Sequence, residues 1–333
     1  CMAPGVAKTY KKKFISNLSS ALAMLSGDEN AKDTAKQIVS DIKSEQKIEP
    51  TLAGSAEYGE ILLKKLEEKM SNESAKRAVK FIVENSVKET DRATYQAMEA
   101  LIHNLNTMHS RAGAQIPFSS LNYGTDTSEE GRMVMKNLLL AEEAGLGNGE
   151  TPIFPIHIFK VKEGINFNKE DINYDLFKLA CRVSAKRLFP NFSFLDAPFN
   201  LQYYKEGHPE TEATYMGCRT RVVANCYDKS REITYGRGNL SFTSINLPRI
   251  AINANGSIDW FFDELDRKID LVIDQLLARY KVQAAKTVKN YPFLMGQGIW
   301  LDSEKLGPND TVGEVLKHGT LTAGFIGLAE CLK

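Results

Sequence analysis

The chain has 333 residues, and its 42 lysines and arginines are balanced by 42 aspartates and glutamates. That balance leaves no overall field to favour nucleic acid or an anionic membrane surface, and no apolar run reaches the ~20 residues of a membrane span. The length suits one large α/β domain or two smaller ones. Five cysteines, Cys1, Cys181, Cys218, Cys226 and Cys331, are odd in number, and no two share CxxC spacing. A disulfide scaffold or zinc ribbon is therefore not indicated, and the compartment reads as reducing and cytoplasmic. The N-terminus lacks the pattern of a signal peptide, and Cys1 ahead of Met2 reads as the start of a fragment.

Residues 1–90 are polar, rich in Lys and Glu, and mostly helical in pattern. Lys11-Lys12-Lys13 and the charged run from Lys64 to Lys69 read as solvated helix faces. A stronger helix is expected over Thr90–Arg111, where Tyr95, Met98, Leu101, Ile102 and Leu105 fall at i, i+3, i+4 spacing. His103 and His109 lie on it without a third ligand nearby, so no metal site is expected. Small residues from Ser110 to Gln115 break the helix, and Ile116–Tyr123 reads as a strand.

A helix is expected to follow, capped by a hydroxyl or carboxylate in Gly124–Ser128, with Glu129 and Glu130 in its first turn. It ends at Ala144, before the glycine-rich run from Gly145 to Gly149. Ile153–Val161 is a near-continuous apolar strand, Tyr174–Leu188 a helix and Phe192–Leu195 a further strand. Strands apolar on both faces, alternating with helices, argue for parallel strands covered by helices. Later, Phe242–Ile252 reads as a mixed strand. Ser257 caps a long helix whose stripe is Phe261, Leu265, Ile269, Val272, Leu276 and Tyr280. Segments 296–300 and 319–327 read as strand and loop.

The organising stretch lies between. Residues 196–214 are aromatic, proline-punctuated and aperiodic, and segments of that kind inside a domain are usually functional or disordered. They lead into Tyr215-Met216-Gly217-Cys218-Arg219-Thr220 and, downstream, Gly236-Arg237-Gly238-Asn239-Leu240. Hydrolytic or acyl-transfer use of Cys218 needs a base within reach; His208 is the nearest histidine, and no Cys–His arrangement shows locally. Gly236 and Gly238 lack the third glycine of a dinucleotide fingerprint, and no phosphate-loop motif occurs. Radical chemistry fits the pattern better. A hydrogen-abstracting thiol must be neutral and dry, Met216 is an apolar filler, and Gly217 allows a turn at a loop tip. An asparagine amide bonds a hydroxyl or carboxylate without titrating. On the residues alone an inert buried thiol remains open.

Met216-Gly217-Cys218-Arg219, Gly238-Asn239-Leu240 and Ser244-Ile245-Asn246-Leu247-Pro248-Arg249-Ile250-Ala251 resemble the finger-loop region of anaerobic (class III) ribonucleotide reductases. Asn106 to Phe118, Lys186-Arg187-Leu188-Phe189-Pro190 and Gly324-Phe325-Ile326-Gly327-Leu328 extend the resemblance from about residue 90 to 333 in the right order. The resemblance implies an α/β fold: a ten-stranded α/β barrel of two parallel five-stranded halves, incomplete here, with a helical N-terminal region. Residues 1–90 would be the helical part and 91–333 the barrel portion, with a finger loop at about 196–220.

It further implies that Cys218 becomes a thiyl radical that removes the 3′-hydrogen of a ribonucleoside triphosphate, with Met216 lining the site. Asn239 would orient formate, the reductant, or the substrate hydroxyls; Gln115, Ser119, Ser120 and Arg219 would contact substrate. Implied too are a glycyl radical installed by an S-adenosylmethionine/iron–sulfur activase, ATP and deoxynucleotide effectors, and a homodimer. The family's glycyl-radical motif and its C-terminal zinc site do not occur in these residues, so the chain reads as a central fragment, inactive alone. Related pyruvate formate-lyase-like enzymes carry adjacent cysteines on the loop, whereas Arg219 follows Cys218 here. The non-catalytic alternative is an assembly or effector-binding piece, with Lys11–Lys13 near a deoxynucleotide pocket.

Overall fold

Four helices build the first third of the chain, because their apolar residues recur on one face at every fourth position. In the computed structural model, which describes residues 2–109, 115–217 and 220–333, these are α1 (Ala3–Ser26), α2 (Ala31–Gln46), α3 (Ser55–Glu67) and α4 (Asn72–Thr107). On α1, Tyr10, Phe14, Leu18 and Leu22 are fully buried. Phe14 meets Tyr58 of α3 edge-on, with ring centroids 5.2 Å apart, the arrangement the ring quadrupoles favour. Burial pushes the Tyr10 phenol up to about 12.

The buried face of α4 is polar at its centre. Ser86, Thr90 and Thr94 are buried, and each hydroxyl donates to the carbonyl four residues back, at 2.5, 2.7 and 2.8 Å. The hydroxyls thereby satisfy themselves within the helix, and Asn17 of α1 reaches Ser86 at 3.1 Å. Two of the three N-terminal lysines are engaged: Lys11 pairs with Glu49 at 2.9 Å and Lys13 with Glu89 at 3.5 Å. The helix expected from Thr90 begins much earlier, at Asn72, where the Ser71 side chain accepts from Ser74 N.

The chain divides into two compact units, Cys1–Ala197 and Pro198–Lys333. In the first, β1 (Ser120–Tyr123), α5 (Glu129–Ala144), β2 (Ile156–Val161), α6 (Tyr174–Arg187) and β3 (Asn191–Phe194) alternate as expected. They form a parallel sheet of order β1-β2-β3, and the central strand β2 is buried along its whole length. Ser128 caps α5 by accepting from Gly131 N. A buried polar chain crosses this unit: the Tyr123 hydroxyl lies 2.9 Å from His157 Nδ1, and His157 Nε2 lies 3.4 Å from Glu142 Oε2. Burial, with the Glu142 carboxylate nearby, pushes the Tyr123 phenol well above its ordinary range.

The second unit holds α7 (Pro198–Leu201), an antiparallel pair β4 (Thr214–Met216) and β5 (Thr220–Val222), then β6 (Asn239–Asn246), α8 (Leu247–Ala254), α9 (Ile258–Ala284), α10 (Gly313–Leu316), β7 (Thr320–Ile326) and α11 (Leu328–Cys331). Strand β6 runs parallel to β7, with α8, α9 and α10 in the crossover between them. The strand expected over Phe242–Ile252 stops at Asn246, whose side chain accepts from Arg249 N while Pro248 occupies the first helical turn. Cap and proline together start a helix there. Along α9, Val272 and Leu276 are buried with Phe261 and Leu265 packed beside them, whereas Ile269 of the expected stripe stays exposed.

The architecture is thus mixed α/β. Among the described residues the strands form three separate sheets, of three, two and two strands, and the ten-stranded barrel implied by the resemblance is not seen in them.

Phe14→Ala opens a cavity in the four-helix core and is expected to cost about 3–5 kcal/mol in urea unfolding. Tyr123→Phe, which leaves the buried His157 Nδ1 without its partner, is expected to cost about 1–3 kcal/mol. A smaller loss for Phe14→Ala than for Tyr123→Phe would contradict this account of the core.

Candidate active site

Two glycines flank the most informative arginine and asparagine of the second unit. Gly236 takes φ 66°, and its carbonyl accepts from Leu301 N at 2.7 Å. At Gly238 an added Cβ would stand 3.3 Å from Trp300 Cζ3 and 3.8 Å from Met216 Sδ. Met216 is the last residue of β4 and Asn239 the first of β6, so the bare Cα of Gly238 lets the thioether and the indole close over the start of β6. Met216 and Asn239, singled out from the sequence, are brought into one neighbourhood. Gly217 follows Met216 with φ 56°, the left-handed turn that a glycine permits. Cys218 and Arg219 come next in the chain and lie outside the described residues.

Asn239 is exposed. Its Oδ1 accepts from the Thr322 hydroxyl of β7 at 3.2 Å, which fixes the orientation of the amide. Its Nδ2 makes no hydrogen bond among the described residues, so both N–H groups remain to donate to a carboxylate or hydroxyl oxygen.

The floor of the neighbourhood is a small apolar core. Trp300 packs with Val288, Met295, Val312, Val315 and Leu316, and its indole N–H donates to Val315 O at 2.7 Å. Next to Trp300 along the chain, Asp302 sits at φ 66° and gathers three cationic or polar groups. Arg231 grips it with two parallel bonds of 2.8 and 2.7 Å, Lys305 approaches to 2.7 Å, and His318 Nε2 lies at 3.1 Å. Asn225 Nδ2 is 3.1 Å from His318 Nδ1; with the amide donating there, Nδ1 accepts and the ring proton resides on Nε2, facing Asp302. His318 leads directly into Gly319 and β7, so this network buttresses the strand against which Asn239 is held.

The Arg231 guanidinium, then the Lys305 ammonium, hold the Asp302 carboxyl far below the usual carboxylate range. Asp228, bonded by Ser230 and Arg231, is lowered to about 2.

Gln115, Ser119 and Ser120 belong to the first unit. Gln115 is exposed. Ser119 and Ser120 stand at the leading end of β1, where the Ser119 carbonyl accepts from Ile156 N at 2.9 Å and Ser120 pairs with Ile156. Other residues of the resemblance prove to be ties. Asn106 Oδ1 accepts from Ile153 N and Phe154 N at 2.8 and 3.1 Å, while its Nδ2 donates to Phe154 O at 2.5 Å. Arg187 donates to the carbonyls of Glu143, Ala144 and Gly149, closing the end of α5. Trp300, Thr322, Asp302 and Arg237 were not identified from the sequence. Only the scarcity of tryptophan, two in the chain, and the glycines around Arg237 marked any of them. No group of three metal-ligating side chains occurs among the described residues, and no helix is long and apolar enough to cross a membrane.

A family model described as anaerobic ribonucleoside-triphosphate reductase matches residues 2–333. The chain is 31% identical over 246 residues to the anaerobic ribonucleoside-triphosphate reductase of Escherichia coli (strain K12), which covers 73% of this chain and 33% of that protein. It is 32% identical over 251 residues to the protein of the same description from Enterobacteria phage T4, covering 73% of this chain and 40% of that one. The chain thus spans between a third and two fifths of the length of these relatives. A crystal structure of the anaerobic ribonucleotide reductase from Thermotoga maritima with glycerol in the active site aligns with a TM-score of 0.43 at 11% identity, over 97% of this chain and 57% of that one.

The Asp302 network sets a pH dependence. Its carboxyl is depressed in the folded state, so the stabilisation is complete above the unfolded value of about 3.9 and fades as pH falls below it. Asp302→Asn is expected to lower the urea midpoint at pH 7, and the gap between the two curves is expected to hold above about pH 4 and to begin narrowing as pH falls from there toward 3. A constant offset across that range would contradict the assignment.

Proposed function

The chain belongs to the anaerobic ribonucleoside-triphosphate reductase family, and from that membership we propose that it supplies the thiol-bearing site at which ribonucleoside triphosphates are reduced to deoxyribonucleoside triphosphates, with formate as the reductant. The observation that carries this reading is that Met216 Sδ lies within 4 Å of where a Gly238 Cβ would stand, one residue before the donor-bearing Asn239.

In this reading Cys218, as a thiyl radical, takes the hydrogen atom from C3′ of the ribose. The 2′-hydroxyl then leaves as water with an added proton, and formate is oxidised to carbon dioxide as its hydrogen and two electrons pass to the sugar. Cys218 finally returns a hydrogen atom to C3′. A glycyl radical, installed by an S-adenosylmethionine-dependent activase, supplies the initial oxidising equivalent.

The chain's own residues do the positioning. Met216 and Trp300 supply a thioether and an indole face that do not ionise near neutrality, the kind of surroundings a neutral thiol requires. Asn239 donates both amide protons toward formate or a ribose hydroxyl while Thr322 fixes its orientation. Arg219 is proposed to contact the nucleotide, and the family resemblance gives Gln115, Ser119 and Ser120 substrate contacts as well. The ten-stranded barrel, with its finger loop over about 196–220, is the architecture proposed for the complete site. Effector nucleotides, a homodimer and a cytoplasmic setting accompany it.

Cys218→Ser in the radical-loaded enzyme is expected to abolish deoxynucleotide formation while the glycyl radical signal in electron paramagnetic resonance persists. Deoxynucleotide formation at the wild-type rate would sink the reading. Asn239→Leu, which removes hydrogen bonds to an anion worth about 1.5–3 kcal/mol, is expected to raise the half-saturating formate concentration by about tenfold to a hundredfold.

A further inference from the structure

Arg237 is the one side chain of the Gly236–Asn239 run that the reading above leaves without a task. It is half-buried, and its guanidinium reaches across to the backbone carbonyl of Ala224 through Nη2, just beyond β5. Its Nε is closed off from solvent and finds no acceptor, and no carboxylate pairs with it among the described residues. The neighbouring arginines differ: Arg231 is held by Asp228 and Asp302, and Arg221 donates to Phe199 O and Asn200 Oδ1. A buried N–H without an acceptor and a cation without a counter-charge both cost free energy. Consistent with this, desolvation lowers the Arg237 pKa, against a small opposing influence of Cys226. The position is rigid, because Gly236 is bonded to Leu301 and Gly238 lies under Trp300 and Met216.

We propose that Arg237 is an oxyanion-binding residue of the second unit, its guanidinium taking a carboxylate or phosphate oxygen. The inference rests on the functional reading above, and it adds a cation to a neighbourhood whose described side chains are otherwise uncharged. A guanidinium suits the task because its planar fork matches the paired oxygens of such a group. The shared chemistry admits two sources: the carboxylate of formate, or a phosphate of the nucleotide.

The test uses the 15N-labelled chain and follows the Arg237 Nε–H resonance, assigned by its loss in Arg237→Lys and Arg237→Gln. Sodium formate and a ribonucleoside triphosphate are titrated separately at constant ionic strength, with sodium chloride as the control. The expected result is a saturable shift of that resonance with one of the two ligands, which identifies the source. Affinity for that ligand should fall about tenfold or more in Arg237→Gln. Arg237→Lys, which keeps the charge but lacks the fork, serves in its place if the glutamine variant does not fold, and should lose affinity as well.

No shift beyond that given by chloride, or unchanged affinity in a folded variant of either kind, overturns the proposal. If the resonance responds but Cys218→Ser retains full turnover, the oxyanion site stands while the radical reading fails. If Cys218→Ser is inactive and the resonance is silent, the reverse holds.

Discussion

A missing side chain is the constraint on which the second unit depends. Because Gly238 has no Cβ, the Trp300 ring can come close to the backbone at the start of β6, with Met216 Sδ nearby. Trp300 ties the same point to the core around Val312 and Leu316. The close approach brings the start of β6, the end of β4 and an apolar cluster to within a few ångströms of one another. At Gly319 the same logic recurs: an added Cβ would lie 2.7 Å from Leu240 Cγ and 3.0 Å from Gly238 O, so a glycine immediately precedes both β6 and β7.

Around that contact, charge is used as fastening. Asp302 draws Arg231, Lys305 and His318 together, and those residues lie on three stretches of chain that hydrophobic packing alone would leave free to slide. A carboxylate gripped by a guanidinium through two parallel bonds has both strength and direction. The arrangement explains why a residue with positive φ is tolerated at Asp302: the bonds it makes outweigh the local backbone strain. Arg237 stands apart from this pattern because it is a guanidinium with no carboxylate.

The first unit solves a different problem, that of burying polar groups. Along α4 the hydroxyls of Ser86, Thr90 and Thr94 fold back on their own helix, so α1 can pack against them without leaving a donor unmet. The Tyr123–His157–Glu142 chain is less economical. Both Glu142 oxygens lack a hydrogen-bond partner, and the group is held by the surrounding sheet and helix rather than by its own bonds. Asn106 and Arg187, which belong to the segments carrying the family resemblance, bind backbone groups of loops in this structure. Their side chains organise the approach to β2 and the end of α5.

What the sequence determined by itself was local and periodic. A cap within Gly124–Ser128, the cap at Ser257, the apolar run of β2, the alternation that makes β1-β2-β3 parallel and the short motifs of the family resemblance were all legible, because each is read from local runs of residues. The tertiary structure decided what depends on distant partners. The strand expected through Ile252 ended at Asn246 because an asparagine cap and Pro248 outweighed the β-branched residues beyond them. Trp300, Thr322 and Asp302 gained their roles from neighbours sixty to eighty-odd positions away, at Gly238, Asn239 and Arg231. No pattern along the chain encodes such meetings, since they arise only when a glycine lets two elements approach and a charge finds its counter-charge across the fold.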